Sequence, residues 1–201
     1  MDIKAKDVKK LRDLTGVGMM DAKKALKSAD GDFNKAAKFL REKGTQLAES
    51  KSSRGASQGV IASYIHPGSK VGVLVELNCE TDFVARNEDF NKLAHNLAIH
   101  VAGMCPLYIA PEDVPKKVID KETELYKSQL KGKSKTVADK AIKNKLDGFY
   151  TSVCLLKQPF VLDQDIKVEN LITDMVGILK ENIKITRFIR FEVGVGDNER
   201  D

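Results

Sequence analysis

Val71-Gly72-Val73-Leu74-Val75-Glu76-Leu77-Asn78-Cys79-Glu80-Thr81-Asp82-Phe83-Val84-Ala85-Arg86-Asn87 is the stretch around which the chain is organised. Its first half, through Leu77, is rich in β-branched residues with a period of two, the pattern of a strand. Beyond it, Phe90, Leu93, Ala94, Leu97, Ala98 and Val101 recur at helical spacing. Asn87 is placed to cap that helix, and Glu88 and Asp89 fall in the first turn, where the backbone dipole favours negative charge. Thr81 to Arg86 is therefore a strand-to-helix corner, a connection that can push a side chain outward. Phe83 has two readings there. It is a core residue that turned inward, as large apolar side chains mostly do, or, with Asp82, an exposed wedge for a partner protein.

Working outward, Val60 to His66 reads as a strand and Pro67-Gly68-Ser69 as a turn, so the two strands form an antiparallel hairpin. Toward the N-terminus, residues 5 to 43 read as three short helices. Val8, Leu11 and Leu14 form the first apolar stripe, stopped by Thr15-Gly16-Val17-Gly18. Met19, Ala22, Ala25, Leu26 and Ala29 form the second, and Phe33, Ala36, Ala37 and Leu40 the third, after the break at Asp30-Gly31-Asp32. Residues 45–58, rich in Ser and Gly and without apolar periodicity, read as a flexible linker.

Past the central helix, Pro106, Pro111 and Pro115 confine the chain to an extended connection. Helices follow at Val114 to Leu130, Thr136 to Leu156 and Val168 to Leu179, and Arg187 to Val193 alternates as a third strand. The expected fold class is α+β: an N-terminal three-helix domain (1–44), a linker (45–58), and a core domain (59–201) with a small three-stranded antiparallel sheet covered on one face by helices. So small a sheet needs its edges covered or paired.

Composition narrows the function. Of 201 residues, 34 are Lys or Arg and 29 Asp or Glu, a net charge of +5 that is too mild to compel a nucleic-acid partner. No apolar run is long enough to cross a bilayer, and Met1-Asp2-Ile3-Lys4 has the pattern of neither a signal nor a transit peptide. Cys79, Cys105 and Cys154 are widely spaced with no CxxC, which fits a reducing cytoplasm rather than a disulfide framework or zinc site. Gly16-Val17-Gly18 follows no strand and lacks a third glycine, so it is not a dinucleotide site, and no phosphate-binding loop pattern occurs. His95 and His100 are five apart on a helix and diverge. No nucleophile–base set is legible, so the chain is expected to be no enzyme and to hold no cofactor.

Ten lysines between Lys116 and Lys145 could contact phosphates, yet Tyr126 is the one aromatic interleaved among them, and such charge runs on amphipathic helices are usually solvated. Met19 and Met20 point about 100° apart on a helix, so one can be core while the other offers an adaptable apolar contact.

Two motifs carry a family resemblance. Thr81-Asp82-Phe83-Val84-Ala85-Arg86-Asn87 and Leu11-Arg12-Asp13-Leu14-Thr15-Gly16-Val17-Gly18-Met19-Met20-Asp21-Ala22-Lys23-Lys24-Ala25-Leu26 resemble the two signatures of the elongation factor Ts family, in the right order and at the right distance. Gln158-Pro159-Phe160-Val161 and Arg190-Phe191-Glu192-Val193-Gly194 extend the likeness over essentially the whole chain. The resemblance implies a cytoplasmic translation factor with a UBA-like N-terminal domain, exchanging guanine nucleotide on elongation factor Tu, which it binds both with GDP and nucleotide-free.

By resemblance, Arg12, Met19, Met20 and Lys23 meet the partner's nucleotide-binding domain. Thr81, Asp82, Phe83 and Val84 form the segment that dislocates the partner's Mg2+ beside GDP, and His66 completes the apolar contact around Phe83. Val161 and Leu162 touch the partner's distal domain, where Leu162 replaces a methionine of some relatives. The long form of the family draws the wedge and the histidine from two copies of one module. Here one copy is found and the sequence stops soon after Gly196, as in short members, which implies a homodimer pairing its small sheets and a 2:2 complex. No direct contact with nucleic acid and none with a membrane is expected. RNA or ribosome binding through the Lys116–Lys145 face, and ubiquitin-type binding by the N-terminal domain, are the competing readings.

Overall fold

In the computed structural model, which describes residues 3–130 and 132–195, the helices are α1 (Ala5–Thr15), α2 (Met19–Ser28), α3 (Phe33–Lys51), α4 (Asp82–Ala85), α5 (Glu88–Met104), α6 (Lys116–Gln129), α7 (Lys135–Val153) and α8 (Val168–Leu179). The strands are β1 (Gln58–Ile65), β2 (Val71–Cys79), β3 (Pro159–Phe160), β4 (Asp163–Lys167) and β5 (Lys184–Glu192). A three-stranded sheet has the order β1-β2-β5, and β3 pairs with β4 in a separate hairpin. The class is α+β, as read from the sequence.

The chain divides into two compact units. One contains residues 1–61, 76–94 and 170–186, and the other 62–75, 95–169 and 187–201, within the described range.

In the first unit, α1 to α3 close on Val8, Leu11, Ala22, Ala25, Leu26, Ala29 and Ala36, with Ile3, Val17, Phe33, Ala37 and Leu40 packed partly against them. Gly16 ends α1 in the left-handed region (φ 71°), its N–H donating to the Arg12 carbonyl at 2.7 Å. A side chain there would also press on the end of the Ile178 side chain, with Cδ1 at 2.9 Å, but it is the left-handed backbone that calls for glycine. Asp32 caps α3 by accepting the Lys35 N–H at 3.0 Å.

Two expectations fail in this unit. Leu14 and Met19, read as members of the apolar stripes, are 71% and 45% exposed. They flank the Thr15–Gly18 connection, where Val17 rather than Leu14 or Met19 packs against the small core. Residues 45–51, read as the first half of a flexible linker, continue α3. Tertiary contacts override the weak helix propensity of Gly44 and Thr45 there. A Cβ on Gly44 would lie 3.6 Å from the Thr173 carbonyl on α8, and Lys51 is buried with its ammonium 3.7 Å from Glu80.

The sheet is antiparallel throughout. His66 N–H donates to the Val71 carbonyl at 2.9 Å across a turn with Pro67 and Gly68 (φ 93°) at its centre, the type II pattern. Val193 N–H donates to the Lys70 carbonyl at 2.9 Å, while Thr186 bonds Asn78 at the opposite end of β2, so β5 runs against β2. On β2, Val73, Val75, Leu77 and Cys79 are buried and Leu74 is exposed, so one face is covered. In the second unit α5 lies over that face. Tyr64 and His95 meet edge-on at 6.1 Å, and Arg190 Nε donates to the Ala102 carbonyl at 3.3 Å.

Helix α7 stops at Val153 rather than Leu156, because the next backbone N–H groups are drawn away. Leu155 donates to the Tyr108 carbonyl and Leu156 to that of Ile109, at 2.8 and 2.9 Å. The β3–β4 hairpin after it is too short for a periodic signal and was not expected. Among the described residues no helix is long and apolar enough to cross a membrane.

Candidate functional site

The corner after β2 is built by hydrogen bonds rather than burial. Thr81 caps α4, its hydroxyl oxygen accepting the Val84 N–H at 3.4 Å. Asn87 caps α5 by accepting the N–H groups of Asp89 and Phe90 at 2.8 and 3.2 Å. Between the caps stand five residues, Asp82 to Arg86, none of them buried.

Phe83 is 81% exposed, which removes the core reading. Transferring such a side chain from water into an apolar pocket is worth roughly 1.5–3 kcal/mol, which its own fold leaves unused. Beside it, Asp82 is half-exposed and pairs with Arg86 at 3.0 Å. The corner thus presents an aromatic ring and a carboxylate side by side to solvent.

The base of the corner is fixed. The Glu181 carboxylate accepts the N–H groups of Glu80 and Thr81, both at 3.0 Å, and the Thr81 hydroxyl at 2.6 Å. In return Glu80 accepts the Asn182 N–H at 2.7 Å and pairs with Lys51 and Arg54 at 3.7 and 3.5 Å. The Asn182 N–H, followed by the two cations, holds the Glu80 carboxyl below its ordinary range despite burial. Burial pushes the Cys79 thiol up to about 11, with the Glu181 carboxylate adding to the rise. Cys79 therefore stays protonated and donates to the Thr81 carbonyl at 3.1 Å. Neither Glu181 nor Asn182 belongs to a motif legible in the sequence.

In the same unit, Met20 is 65% exposed and Met19, Arg12, Lys23 and Leu14 are exposed around it. Neither methionine is core. Arg12 lies 3.6 Å from Asp13, a loose surface pair that leaves its guanidinium available. These residues form an apolar patch with basic side chains on the end of α1 and the start of α2.

In the second unit, His66 is exposed at the end of β1, its Nδ1 3.1 Å from the Tyr64 hydroxyl. Pro159 pairs with Lys167 and Phe160 with Asp163, so Val161 and Leu162 are the two residues of the β3–β4 tip. Leu162 projects into solvent and Val161 is half-buried.

A buried histidine fixes this tip. His100 Nδ1 accepts the Val161 N–H at 3.1 Å, so the proton is on Nε2, 2.9 Å from Gln158 Oε1. Gln158 in turn donates to the Ser152 and Met104 carbonyls at 2.9 and 3.3 Å, and Phe160 stacks on the imidazole at 5.8 Å. Burial lowers the His100 pKa, against the Gln158 hydrogen bond, and keeps the ring neutral. The sequence showed His100 only as one of two diverging histidines.

The outer face of the sheet in this unit carries Ile65, Leu74, Ile189, Phe191 and Val193, all exposed. On α6 and α7, lysines engage their neighbours. Lys116 pairs with Asp120 and Lys127 with Glu124, each at 2.8 Å, and Lys145 lies over the Tyr126 ring. Among the described residues no group of three or more His, Cys, Asp or Glu is placed to hold a metal.

Comparison with known proteins matches the family model described as Elongation factor TS to residues 3–195. The chain is 51% identical over 200 residues to elongation factor Ts of Thermodesulfovibrio yellowstonii, covering 99% of this chain and 100% of that one. It is 50% identical over 194 residues to that of Thermosipho melanesiensis (96% and 99%), and 46% identical over 196 residues to that of Thermotoga maritima (98% of each).

Proposed function

From the premise that this chain belongs to the elongation factor Ts family, and is thus a nucleotide exchange factor of translation elongation rather than a catalytic enzyme, we propose that it binds GDP-bound elongation factor Tu and drives GDP out with the Asp82-Phe83 corner. The observation that carries this reading is the exposure of Phe83, 81%, on a corner whose base is tied by four residues of its own unit, Lys51, Arg54, Glu181 and Asn182.

The mechanism is differential binding. A factor that binds its partner better when the nucleotide site is distorted must weaken nucleotide binding by the same factor. Phe83 supplies the anchor, a buried aromatic being the usual hot spot of an interface. Thr81 and Val84 flank it, and the Asp82 carboxylate brings negative charge beside the partner's Mg2+ and phosphates, disturbing their mutual neutralisation. Met19 and Met20, with Arg12 and Lys23 beside them, grip the nucleotide-binding domain, while Leu162 and Val161 reach the distal one.

The chain works as a homodimer joined through its sheets, in a 2:2 complex, so that His66 of one protomer stands with Phe83 of the other. The exposed apolar face of Ile65, Leu74, Ile189, Phe191 and Val193 supports that pairing. The site of action is the cytoplasm, with no nucleic acid in the contact; the local ion pairs of Lys116 and Lys127 on α6 support the latter. The test is the release of fluorescent GDP from elongation factor Tu. Acceleration by this protein is expected, and release at the spontaneous rate would end the proposal.

A further inference from the structure

A helix of four residues cannot hold its own conformation, because nucleation costs more than its few hydrogen bonds return. Helix α4 buries none of its residues, so apolar packing does not hold it either. Asn91 Nδ2 holds its C-terminal end by donating to the Ala85 carbonyl at 2.9 Å, and a carboxylate from a distant segment holds the N-terminal end, where Phe83 sits. Glu181 Oε2 accepts the N–H groups of Glu80 and Thr81 at 3.0 Å each, and Oε1 accepts the Thr81 hydroxyl proton at 2.6 Å. With its proton committed to Glu181, Thr81 Oγ1 turns its lone pairs to the Val84 N–H, the cap of α4. Glu181 is aimed in its turn by the α8–β5 connection. Lys180 there is left-handed (φ 60°), a conformation unusual for a side chain of that size, and the Asn182 N–H is bonded to Glu80. Two chain segments a hundred residues apart thus exchange carboxylate-to-amide bonds at the base of the corner that carries Phe83.

We propose that Glu181 is a positioning residue for Phe83, setting the direction in which the ring leaves the surface, and so governs the exchange step rather than partner capture. This rests on the exchange function proposed above. Without Glu181, two amides and a hydroxyl lose their acceptor, the Thr81 cap is released and α4 frays. The ring remains present but misaimed, and a contact made chiefly as the nucleotide leaves is the one that suffers.

The experiment is a stopped-flow titration of elongation factor Tu carrying fluorescent GDP with the wild type, E181A, E181Q, F83A and the E181A/F83A pair, with a melting curve for each. The wild-type arm tests the exchange function and the variants test Glu181, so either can fail alone. E181A is expected to lower the saturating release rate about tenfold or more while the half-saturating concentration moves less than about threefold. E181Q, whose amide oxygen still accepts N–H bonds, is expected to restore most of that rate. In the F83A background, E181A is expected to change release by less than about twofold, because its effect passes through Phe83. Wild-type rates in E181A, or the same fractional loss with and without Phe83, would overturn the proposal. Should E181A not melt cooperatively, E181D, one methylene too short to reach all three donors, is read by the same two criteria.

Discussion

Gly44 and Gly177 face each other where α3 crosses α8, so near that a Cβ on Gly177 would sit 3.4 Å from the Gly44 Cα. One methyl group is tolerable at that distance and a branched side chain is not. Gly177→Ala is therefore expected to keep or slightly raise stability, since alanine is the better helix former by up to about 1 kcal/mol. Gly177→Leu should force the helices apart and cost about 1–3 kcal/mol. Thermal melting of the two variants separates the outcomes, and equal melting points would refute the close crossing.

Met20 is 65% exposed at the start of α2, so nothing in the fold depends on it. Met20→Ala should change stability by less than about 0.5 kcal/mol. If the patch grips the partner, the variant needs more protein for half-maximal GDP release but reaches the wild-type rate at saturation. A lower rate at saturation would assign Met20 to the exchange step instead.

The His100 imidazole must be neutral for Nδ1 to accept the Val161 N–H, and burial lowers its folded pKa. The unfolded ring binds a proton near pH 6.5 while the folded one still refuses it, so the unfolded state holds more protons in this window. The stabilisation is complete above about pH 6.5 and is lost as pH falls toward the depressed folded value. Melting temperature should decline across that window in the wild type. The decline should be shallower in His100→Gln, and identical slopes would contradict the assignment.

Phe191 stands near the end of the edge strand β5, on the exposed sheet face, and is 57% solvent-accessible. Phe191→Lys should leave the fold within about 0.5 kcal/mol of wild type while light scattering shows the dimer mass falling to that of one chain. A wild type that is monomeric yet fully active at working concentrations would dispose of the paired-sheet proposal.

The legible parts of this protein are those with a long local period or strong local punctuation. The alternation of Val71 to Leu77, the Asn87 cap and the spacing from Phe90 to Val101 each specify one conformation from neighbouring residues alone. The same holds for the corner motif, although whether Phe83 faced in or out was open, because a four-residue turn has no period to read. What escaped depends on residues distant in sequence. Helix α3 outruns Gly44 because α8 packs on it, and the β3–β4 hairpin is too short to alternate. The acceptors that fix the two candidate contact elements, Glu181 for Thr81 and His100 for Val161, stand 100 and 61 residues from the groups they hold. Polar partners so far apart leave no spacing signal.

The most direct test of the account is the saturating rate of GDP release from elongation factor Tu with the wild type and with Phe83→Ala. Since Phe83 is exposed, the variant should melt within about 0.5 kcal/mol of wild type. It should still bind the partner through α1, α2 and the β3–β4 tip, and release GDP at least about tenfold more slowly, in line with losing an interface hot spot. A Phe83→Ala protein that is folded, binds and exchanges nucleotide at the wild-type rate would contradict the central claim.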